Sequence, residues 1–487
     1  MSRRYHLTGA ISTARGAGIS GAAFVISKGL YALLYLWIAS IVAPSGLGSI
    51  TLGLAVYAAF APFRDFGLTP ALVSKKELSP RLIASALSFR FAIALGLAAV
   101  GLVLAFILPE VFSQPDLLWI LILITLTTLI EPIGFLSVAL LQRELRFRDL
   151  ATADILSVLA MAAAGAVSVF LGFQLFALFV GLVASAATRT VSCLLLRPVR
   201  SGLSRNLKEA SSLIHYGSRL VATGITLYFY FNIIVWVLGS VDVYALGLYG
   251  FALLWASTPA DISTAAISRV LLPTYANMKS DKERVVRAYI KTLRNVNIIS
   301  LAGFLVLYVF CPIFIDHFYS DAWMDSIRIL QILLLFGFMR VVVEPAGSML
   351  LALERPGIIL TASAIALVPM IVLAYPVSDM YSGMGCAWLL VLTYFFYLVI
   401  IWRYVLKLIG YSPTTIIGAI YRPIVAAATA LALELVLLWA VPDLSEVLAS
   451  VVVVLPMYLV LTYIMAKDDI TEAAFYLKQS LRLSEKG

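Results

Sequence analysis

The chain has 487 residues, of which 62% are hydrophobic and only 13% are charged. So little polar surface cannot cover a soluble globular protein, and lipid is therefore expected to solvate most of the chain. Three cysteines exclude a disulfide framework, and a formal charge of +9 fits basic membrane loops better than a nucleic-acid ligand.

The apolar segments predict an all-α polytopic membrane protein with about fourteen transmembrane helices. A bilayer core of about 30 Å needs about 20 apolar residues per helix. Runs of that length follow one another along the whole chain. They lie near residues 19–43, 46–72, 82–108, 117–141, 152–171, 174–196, 213–239, 246–272, 289–311, 328–352, 357–376, 382–404, 423–441 and 447–466.

The loops between these runs alternate in charge. Odd-numbered loops such as "APSGLG" and "VPDLSE" contain no Lys or Arg, whereas even-numbered loops such as "VSKKELSPR" and "MKSDKERVVR" are basic. Because cytoplasmic loops retain Lys and Arg, both termini of this multi-pass protein are predicted to be cytoplasmic. The polar residues 1–18 precede a spanning helix without an obvious small-residue cleavage site, which argues against a removable signal peptide.

Four landmarks recur in the same order in the two halves of the chain. They include "SKGLYALLY" and "SRLVATGITLYFY", the aligned residues Pro62 and Pro259, and "EPIG" and "EPAG". Six helices separate each landmark from its copy, which predicts two six-helix bundles related by a pseudo-twofold axis along the membrane normal. The predicted segments are a cytoplasmic tail 1–18, an N-terminal lobe 19–196, a basic cytoplasmic linker 197–212, a C-terminal lobe 213–406, two additional helices 407–466 and a cytoplasmic tail 467–487.

Motifs for soluble enzymes are weak. "GAGISG" at 16–21 matches GxGxxG but follows a polar tail rather than a strand, and the three histidines form no zinc-binding pair. We therefore predict no metal site, no catalytic residues, no nucleotide chemistry and no enzymatic activity.

Charged residues inside the apolar runs are the candidate site residues, because a charge near the bilayer centre costs at least about 2.5–3.5 kcal/mol on insertion scales. The alternative is snorkelling of long side chains to the headgroups, which is at least as well supported as a functional role for Arg189, Lys291 and Arg294. We predict a cationic vestibule between the halves, suited to phosphate or pyrophosphate. Its candidate residues are Lys28, Arg64, Arg90, Arg219, Arg269, Arg294 and Arg340.

Two glutamates stand directly before prolines in apolar helices. Pro132 and Pro345 cannot donate a helical hydrogen bond, so a helix break with local hydration is predicted at each. Arg340, four residues before Glu344, is a candidate partner on the same face, while Glu131 has no cation at that spacing. Ion coupling and a structural role remain open for the embedded carboxylates Asp65, Glu131, Asp154, Asp261 and Glu344.

Several sequence segments resemble those of one protein family. "RDFGLTPALVSKKELSP", "LLQRELRF", "RVLLPTYANMKSDKERVVRAY" and "SDAWMDSIRILQILLLFG" resemble bacterial Wzx-type polysaccharide flippases of the colanic- and teichuronic-acid exporter subgroup. That subgroup belongs to the multidrug/oligosaccharidyl-lipid/polysaccharide (MOP) superfamily of exporters. The resemblance implies export of undecaprenyl-pyrophosphate-linked oligosaccharide to the outer leaflet by alternating access, with H+ or Na+ coupling and no cofactor.

The resemblance also implies a cellular location and partner proteins. We expect a monomer in the bacterial inner membrane that contacts membrane lipids, a polysaccharide polymerase and chain-length or export machinery. Two alternatives remain. A cation-coupled multidrug antiporter would favour an acidic cavity and twelve helices, and a membrane glycosyltransferase or polymerase would need a large outer loop, whereas the predicted loops are short.

Overall fold

The computed structural model describes residues 2–75, 77–199, 201–204, 208–279, 281–440 and 453–464. Regular structure in these ranges is entirely helical, which confirms the predicted all-α class. In chain order the helices are α1 (Ser2–Ile41), α2 (Pro44–Asp65), α3 (Leu68–Ser74), α4 (Pro80–Val111), α5 (Leu117–Arg143), α6 (Phe147–Phe170), α7 (Ala177–Leu196), α8 (Lys208–Val241), α9 (Val243–Met278), α10 (Lys282–Phe318), α11 (Asp325–Ala352), α12 (Pro356–Ile409), α13 (Pro413–Ala440) and α14 (Leu455–Ile464).

Twelve helical segments of the described residues are long and apolar enough to cross a membrane. One of them, α12, has 54 residues and leaves helical geometry at Ser382, where φ is 50° and ψ is −143°. At 1.5 Å per residue it would measure about 80 Å, far more than one bilayer crossing. It contains both predicted runs 357–376 and 382–404. The run 447–466 lies partly outside the described residues, so the count of fourteen stays a prediction.

Proline and capping residues explain where several helices begin. Pro44 and Pro80 occupy the first turns of α2 and α4, where a missing N–H costs nothing. The Ser79 hydroxyl accepts a hydrogen bond from the Leu82 amide at 3.1 Å, and the Asp281 carboxylate accepts one from the Arg284 amide at 3.0 Å. These side chains satisfy amides at the helix N-termini that have no partner within the helix.

The chain divides into two compact units. The first contains Met1–Leu254 and Leu367–Cys386, and the second contains Trp255–Ala366 and Ala387–Gly487. The boundaries of these units fall inside α9 and α12 rather than in the basic segment 197–212. The two six-helix lobes, the linker and the tails therefore stay a prediction from the repeat.

In the first unit α5 lies at the centre of the packing and contacts α2, α3, α4, α6 and α7. Beside it, the short helix α3 forms an apolar cluster with α4 and α5, whose buried members include Leu72, Ala86 and Phe135. The Arg143 guanidinium of α5 donates hydrogen bonds to the carbonyls of Leu72, at 2.9 Å, and Lys75. These two hydrogen bonds hold the C-terminal end of α3 against α5.

In the second unit the two additional helices pack on α10. Leu305 and Val309 of α10 form a buried apolar cluster with Ala426 and Ala430 of α13 and with Tyr458 of α14. Two hydrogen bonds add to this cluster: Asn297 donates to the Ile420 carbonyl at 2.9 Å, and the Tyr458 hydroxyl donates to the Ile298 carbonyl at 3.0 Å. The C-terminal helices are thus integral to this unit.

Glycines allow α2 and α9 to approach closely at their N-terminal ends, within the first unit. A Cβ added at Gly247 would lie 1.8 Å from the Pro44 carbonyl oxygen, and one at Gly48 would lie 2.1 Å from the Val243 carbonyl oxygen. A Cβ at Gly250 would meet the Thr51 hydroxyl at 2.3 Å. Only residues without a side chain permit this backbone contact. The loops before these helices are the ones predicted to lie outside.

We expect Gly247→Ala to separate α2 from α9 and to destabilise the protein by about 1–3 kcal/mol, the usual cost of overpacking. Thermal unfolding of the purified protein in detergent measures this loss. Gly303→Ala in α10 is the matched control, because a Cβ there meets nothing within 4 Å. Equal unfolding temperatures for the two variants would contradict the close approach.

Candidate functional site

Two arginines from different helices converge on one carboxylate in the first unit. The Arg64 Nη1 atom of α2 lies 3.2 Å from Glu131 Oε1 of α5, and the Arg90 Nη2 atom of α4 lies 3.5 Å from Glu131 Oε2. The side chains of Arg64 and Arg90 are 12% and 5% exposed, and that of Glu131 is 27% exposed. We call these three residues the Glu131 cluster. With two cations and one anion, it carries an excess of positive charge.

Arg64 is fixed by contacts other than Glu131. Its Nη2 atom donates to the Tyr57 carbonyl at 2.8 Å, and its guanidinium carbon lies 3.6 Å from the centre of the Tyr57 ring. A cation over an aromatic face is electrostatically attracted by it. The next residue, Asp65, ends α2 and accepts a hydrogen bond at 3.2 Å from the amide of Thr69, in the first turn of α3. The end of α2 therefore positions both the cation and the short helix that follows.

Both arginines retain unused donors. Arg64 Nε and Arg90 Nη1 are buried and have no hydrogen-bond partner within the part of the chain that the structure describes. A buried donor without a partner costs roughly 1–3 kcal/mol, and more for a charged group. Buried unsatisfied groups are rare in native proteins, and a ligand that accepts their hydrogen bonds would remove the cost.

A cavity of about 590 Å³ opens beside the Glu131 cluster. Its walls come from α2, α3, α4, α5 and α7. Besides the cluster itself, the polar lining includes Tyr57, Asp65, Thr69, Gln142, Ser185, Arg189 and Thr190. It is large enough for an anionic headgroup, and three guanidiniums face two carboxylates in its lining.

The cavity combines some of the predicted residues and omits others. It includes Arg64, Arg90, Asp65 and Glu131, and also Arg189, for which snorkelling was the alternative prediction. Arg189 Nε donates to the Asp154 carboxylate of α6 at 2.8 Å, in an ion pair whose two side chains are about 40% exposed.

The remaining predicted cations lie elsewhere. Lys28 is half-buried in α1, Arg269 is exposed on α9, and Arg294 is half-buried in α10, and none of them lines this cavity. The side chain of Arg219 lies outside the described part of the structure. The vestibule predicted between the halves stays a prediction, and the described cavity belongs to the first unit alone.

The second unit contains an ion pair of opposite polarity at the matching place. Arg340 Nη2 of α11 lies 2.7 Å from Asp261 Oδ1 of α9. Asp261 follows Pro259 by two residues, as Arg64 follows the aligned Pro62. In each half of the repeat, a charge after this proline thus pairs with a charge near the Glu-Pro sequence, but the signs are exchanged.

One expectation about the Glu-Pro sites needs correction, and it concerns the prolines. Arg340 forms an ion pair with Asp261 at 2.7 Å, while Glu344 accepts a hydrogen bond from the Ser348 hydroxyl at 2.9 Å and also interacts electrostatically with Arg340, so the predicted partnership of Arg340 and Glu344 stays a prediction. The predicted helix breaks are not interruptions, because α5 continues through Pro132 and α11 through Pro345. Each proline removes one N–H donor without taking the backbone out of the helix.

Comparison with known proteins places the chain in a family. A family model described as "Polysaccharide biosynthesis protein" matches residues 37–328, more than half of the chain. The chain belongs to this polysaccharide biosynthesis family. The lipopolysaccharide biosynthesis protein WzxC of Escherichia coli (strain K12) is 27% identical over 346 residues, which are 70% of either chain. The predicted resemblance is confirmed.

Solved structures show the fold of this polysaccharide biosynthesis protein. The lipid II flippase MurJ in an inward closed conformation has a TM-score of 0.73 at 14% identity, covering 93% of this chain and 99% of that one. An inward-facing multidrug resistance MATE family transporter of the MOP superfamily has a TM-score of 0.63 at 13% identity, covering 79% and 95%. The chain has the same fold as these two solved structures.

The exchanged polarity generates a prediction for the second unit. Asp261→Arg or Arg340→Asp alone should destabilise the protein by about 1–3 kcal/mol, because each leaves a like-charge contact in a largely buried place. The double variant Asp261→Arg/Arg340→Asp should recover at least half of that loss, since it copies the polarity of Arg64 and Glu131. Thermal unfolding of the purified protein measures both effects.

The exposed pair Lys279–Glu354, at 3.1 Å, provides the control for this double-mutant cycle. Reversing one of its charges should cost less than about 1 kcal/mol, as is usual for surface pairs. A double variant at Asp261 and Arg340 that is no more stable than either single variant would show that the pair does not tolerate reversal.

Proposed function

We propose that this polysaccharide biosynthesis protein is a flippase for polyprenyl-diphosphate-linked oligosaccharides. In this proposal it moves undecaprenyl-pyrophosphate-linked repeat units from the cytoplasmic to the outer leaflet by alternating access. The observation that carries the proposal is the pair of buried guanidiniums, Arg64 and Arg90, which line a cavity between apolar helices and retain unused donors. Charged groups at such depth usually mark a pathway for a polar ligand.

The chemistry of the cluster favours a diphosphate. Guanidinium groups donate planar pairs of hydrogen bonds that match phosphate oxygens, and such charge-assisted bonds are about twice as strong as neutral ones. Arg64 and Arg90 come from different helices, so a diphosphate could contact both with its two phosphates. The sugars would then occupy the polar space beyond them, while the polyprenyl chain stays in lipid.

The names of similar proteins support the same substrate class. WzxC is named for lipopolysaccharide biosynthesis, and MurJ is a flippase for lipid II. A multidrug antiporter for cationic compounds is less well supported, because two guanidiniums with unused donors would repel a cation at this cavity. MurJ is named as a flippase and not as an enzyme, so we retain transport without catalysis as our proposal.

Coupling, location and partners belong to the same proposal. Glu344 is half-buried and accepts its hydrogen bond from a neutral hydroxyl, which suits a group that takes up and releases H+, although Na+ coupling also fits a carboxylate. The charge alternation of the loops supports cytoplasmic termini in a bacterial inner membrane. We further propose that the protein is a monomer and that it delivers the transported oligosaccharide to a polymerase and chain-length machinery.

Removing either cluster arginine should block export. In a deletion strain, Arg64→Ala or Arg90→Ala should lower surface polysaccharide about tenfold or more at unchanged protein abundance, because a hydrogen bond to a charged group contributes about 1.5–3 kcal/mol. The complete undecaprenyl-linked unit should accumulate in the membrane. Arg64→Lys should retain part of the export, since it keeps the charge but not the planar donor pair.

Lys279→Ala, which removes an exposed cation, is the control and should export normally. Near-normal export with both arginine variants would show that Arg64 and Arg90 do not bind the substrate. Accumulation of a truncated sugar in the deletion strain would point to synthesis, and new drug sensitivity with unchanged polysaccharide would point to an antiporter.

A further inference from the structure

We propose that Glu131 is a built-in counter-ion that the substrate's diphosphate displaces from Arg64 and Arg90 in every transport cycle. By counter-ion we mean an anion of the protein that occupies the cations while the site is empty. The proposal rests on the proposed function, because it assigns a role to Glu131 at the same site. It makes Glu131 a residue that sets how tightly the substrate is held and how readily it leaves.

The contacts of Glu131 are longer than those of two other arginine–aspartate pairs that join different helices. Its oxygens lie 3.2 Å and 3.5 Å from the two guanidiniums, whereas Arg340–Asp261 and Arg189–Asp154 have distances of 2.7 Å and 2.8 Å. Charge-assisted N–H···O bonds normally measure about 2.7–2.9 Å. Glu131 therefore neutralises the arginines without forming the strongest bonds that its chemistry allows.

Arg64 does not depend on Glu131 alone for its position. It is held by the carbonyl and the ring of Tyr57, and the Arg90 side chain is enclosed, with only 5% of its surface exposed. Arg64 Nε and Arg90 Nη1 are buried and unused among the described contacts even while Glu131 is in place. An anion that replaces the carboxylate and reaches these two donors therefore breaks no hydrogen bond that they already make.

Glu131 is placed so that it can leave. Its side chain is the most exposed of the cluster and lines the cavity, so its carboxylate can be hydrated there. Pro132 removes the N–H that would bond the Thr128 carbonyl, and the hydroxyls of Thr127 and Thr128 bond the carbonyls of Leu123 and Ile124 at 2.9 Å and 3.0 Å. Both features weaken the regular bonding of a helix at this turn and favour local bending.

Exchange of one anion for another has an energetic consequence. Two buried guanidiniums without a carboxylate would be strongly unfavourable, so Glu131 stabilises the empty site. A diphosphate diester carries a charge on each phosphate and can pair with both arginines, so it competes successfully with a single carboxylate. Because Glu131 returns when the substrate leaves, the affinity is lower than two free arginines would give, and release is faster.

The test compares Glu131→Gln with wild type, using the full-length protein in lipid nanodiscs and undecaprenyl pyrophosphate as the ligand. We expect Glu131→Gln to bind this lipid about tenfold tighter, the effect of losing a competing interaction of about 1.4 kcal/mol. In vesicles its flipping rate should fall, because release slows. Glu354→Gln, at an exposed ion pair outside the cavity, is the matched control and should change neither value.

Unchanged or weaker binding by Glu131→Gln would overturn the proposal and make Glu131 a structural support for the arginines. Because neutralising Glu131 could impair folding, Glu131→Asp provides a second variant. It keeps the charge but shortens the side chain, so its affinity should rise by a smaller factor, and no rise would also count against the proposal.

The wild-type protein offers a measurement that needs no substitution at Glu131. An infrared difference spectrum on adding undecaprenyl pyrophosphate should show a shifted carboxylate stretching band, and an unchanged carboxylate region would overturn the exchange. Failure of the proposed function looks different. In that case wild type does not bind undecaprenyl pyrophosphate at all, or binds it equally well after Arg64→Ala and Arg90→Ala.

Discussion

A carboxylate shared by two guanidiniums, inside helices that are otherwise apolar, is the constraint on which the first unit depends. Each of these charges alone would be costly in a bilayer, and together they still leave a positive excess with unused donors. The central helix α5 supplies the carboxylate, and α2 and α4 supply the cations. The surrounding helices enclose a cavity at this point, and the three charged side chains line it.

The internal repeat explains why the two units are related but not equivalent. Both contain a proline in the second helix of a half, a charge two residues later and a partner near the Glu-Pro sequence. In the first unit the partner is a carboxylate and a second arginine joins it, whereas in the second unit the pair is a tight Arg340–Asp261 contact. The corresponding part of each half thus carries a cluster of two arginines and one glutamate with longer contacts in the first unit, and a single ion pair with a shorter contact in the second.

The sequence predicted the fold class and selected Arg64, Arg90 and Glu131 as charges within apolar helices, because these features depend on composition and on position along single helices. It did not predict the ion pairs of Arg64 and Arg90 with Glu131 or of Arg340 with Asp261, since the argument from i,i+4 spacing covers one helix and the observed pairs join different helices. Glu131 therefore appeared to lack a cation. The pair of Arg189 with Asp154 was missed for the same reason, because Asp154 lies on a neighbouring helix.

The central claim is that Arg64 and Arg90 together bind the diphosphate of a lipid-linked oligosaccharide. It is tested most directly by an experimental structure of the full-length protein in nanodiscs with undecaprenyl pyrophosphate. The account predicts phosphate oxygens within hydrogen-bonding distance of both guanidiniums, with the Glu131 carboxylate moved away from them. Phosphates bound elsewhere, with both arginines still on Glu131, would contradict it.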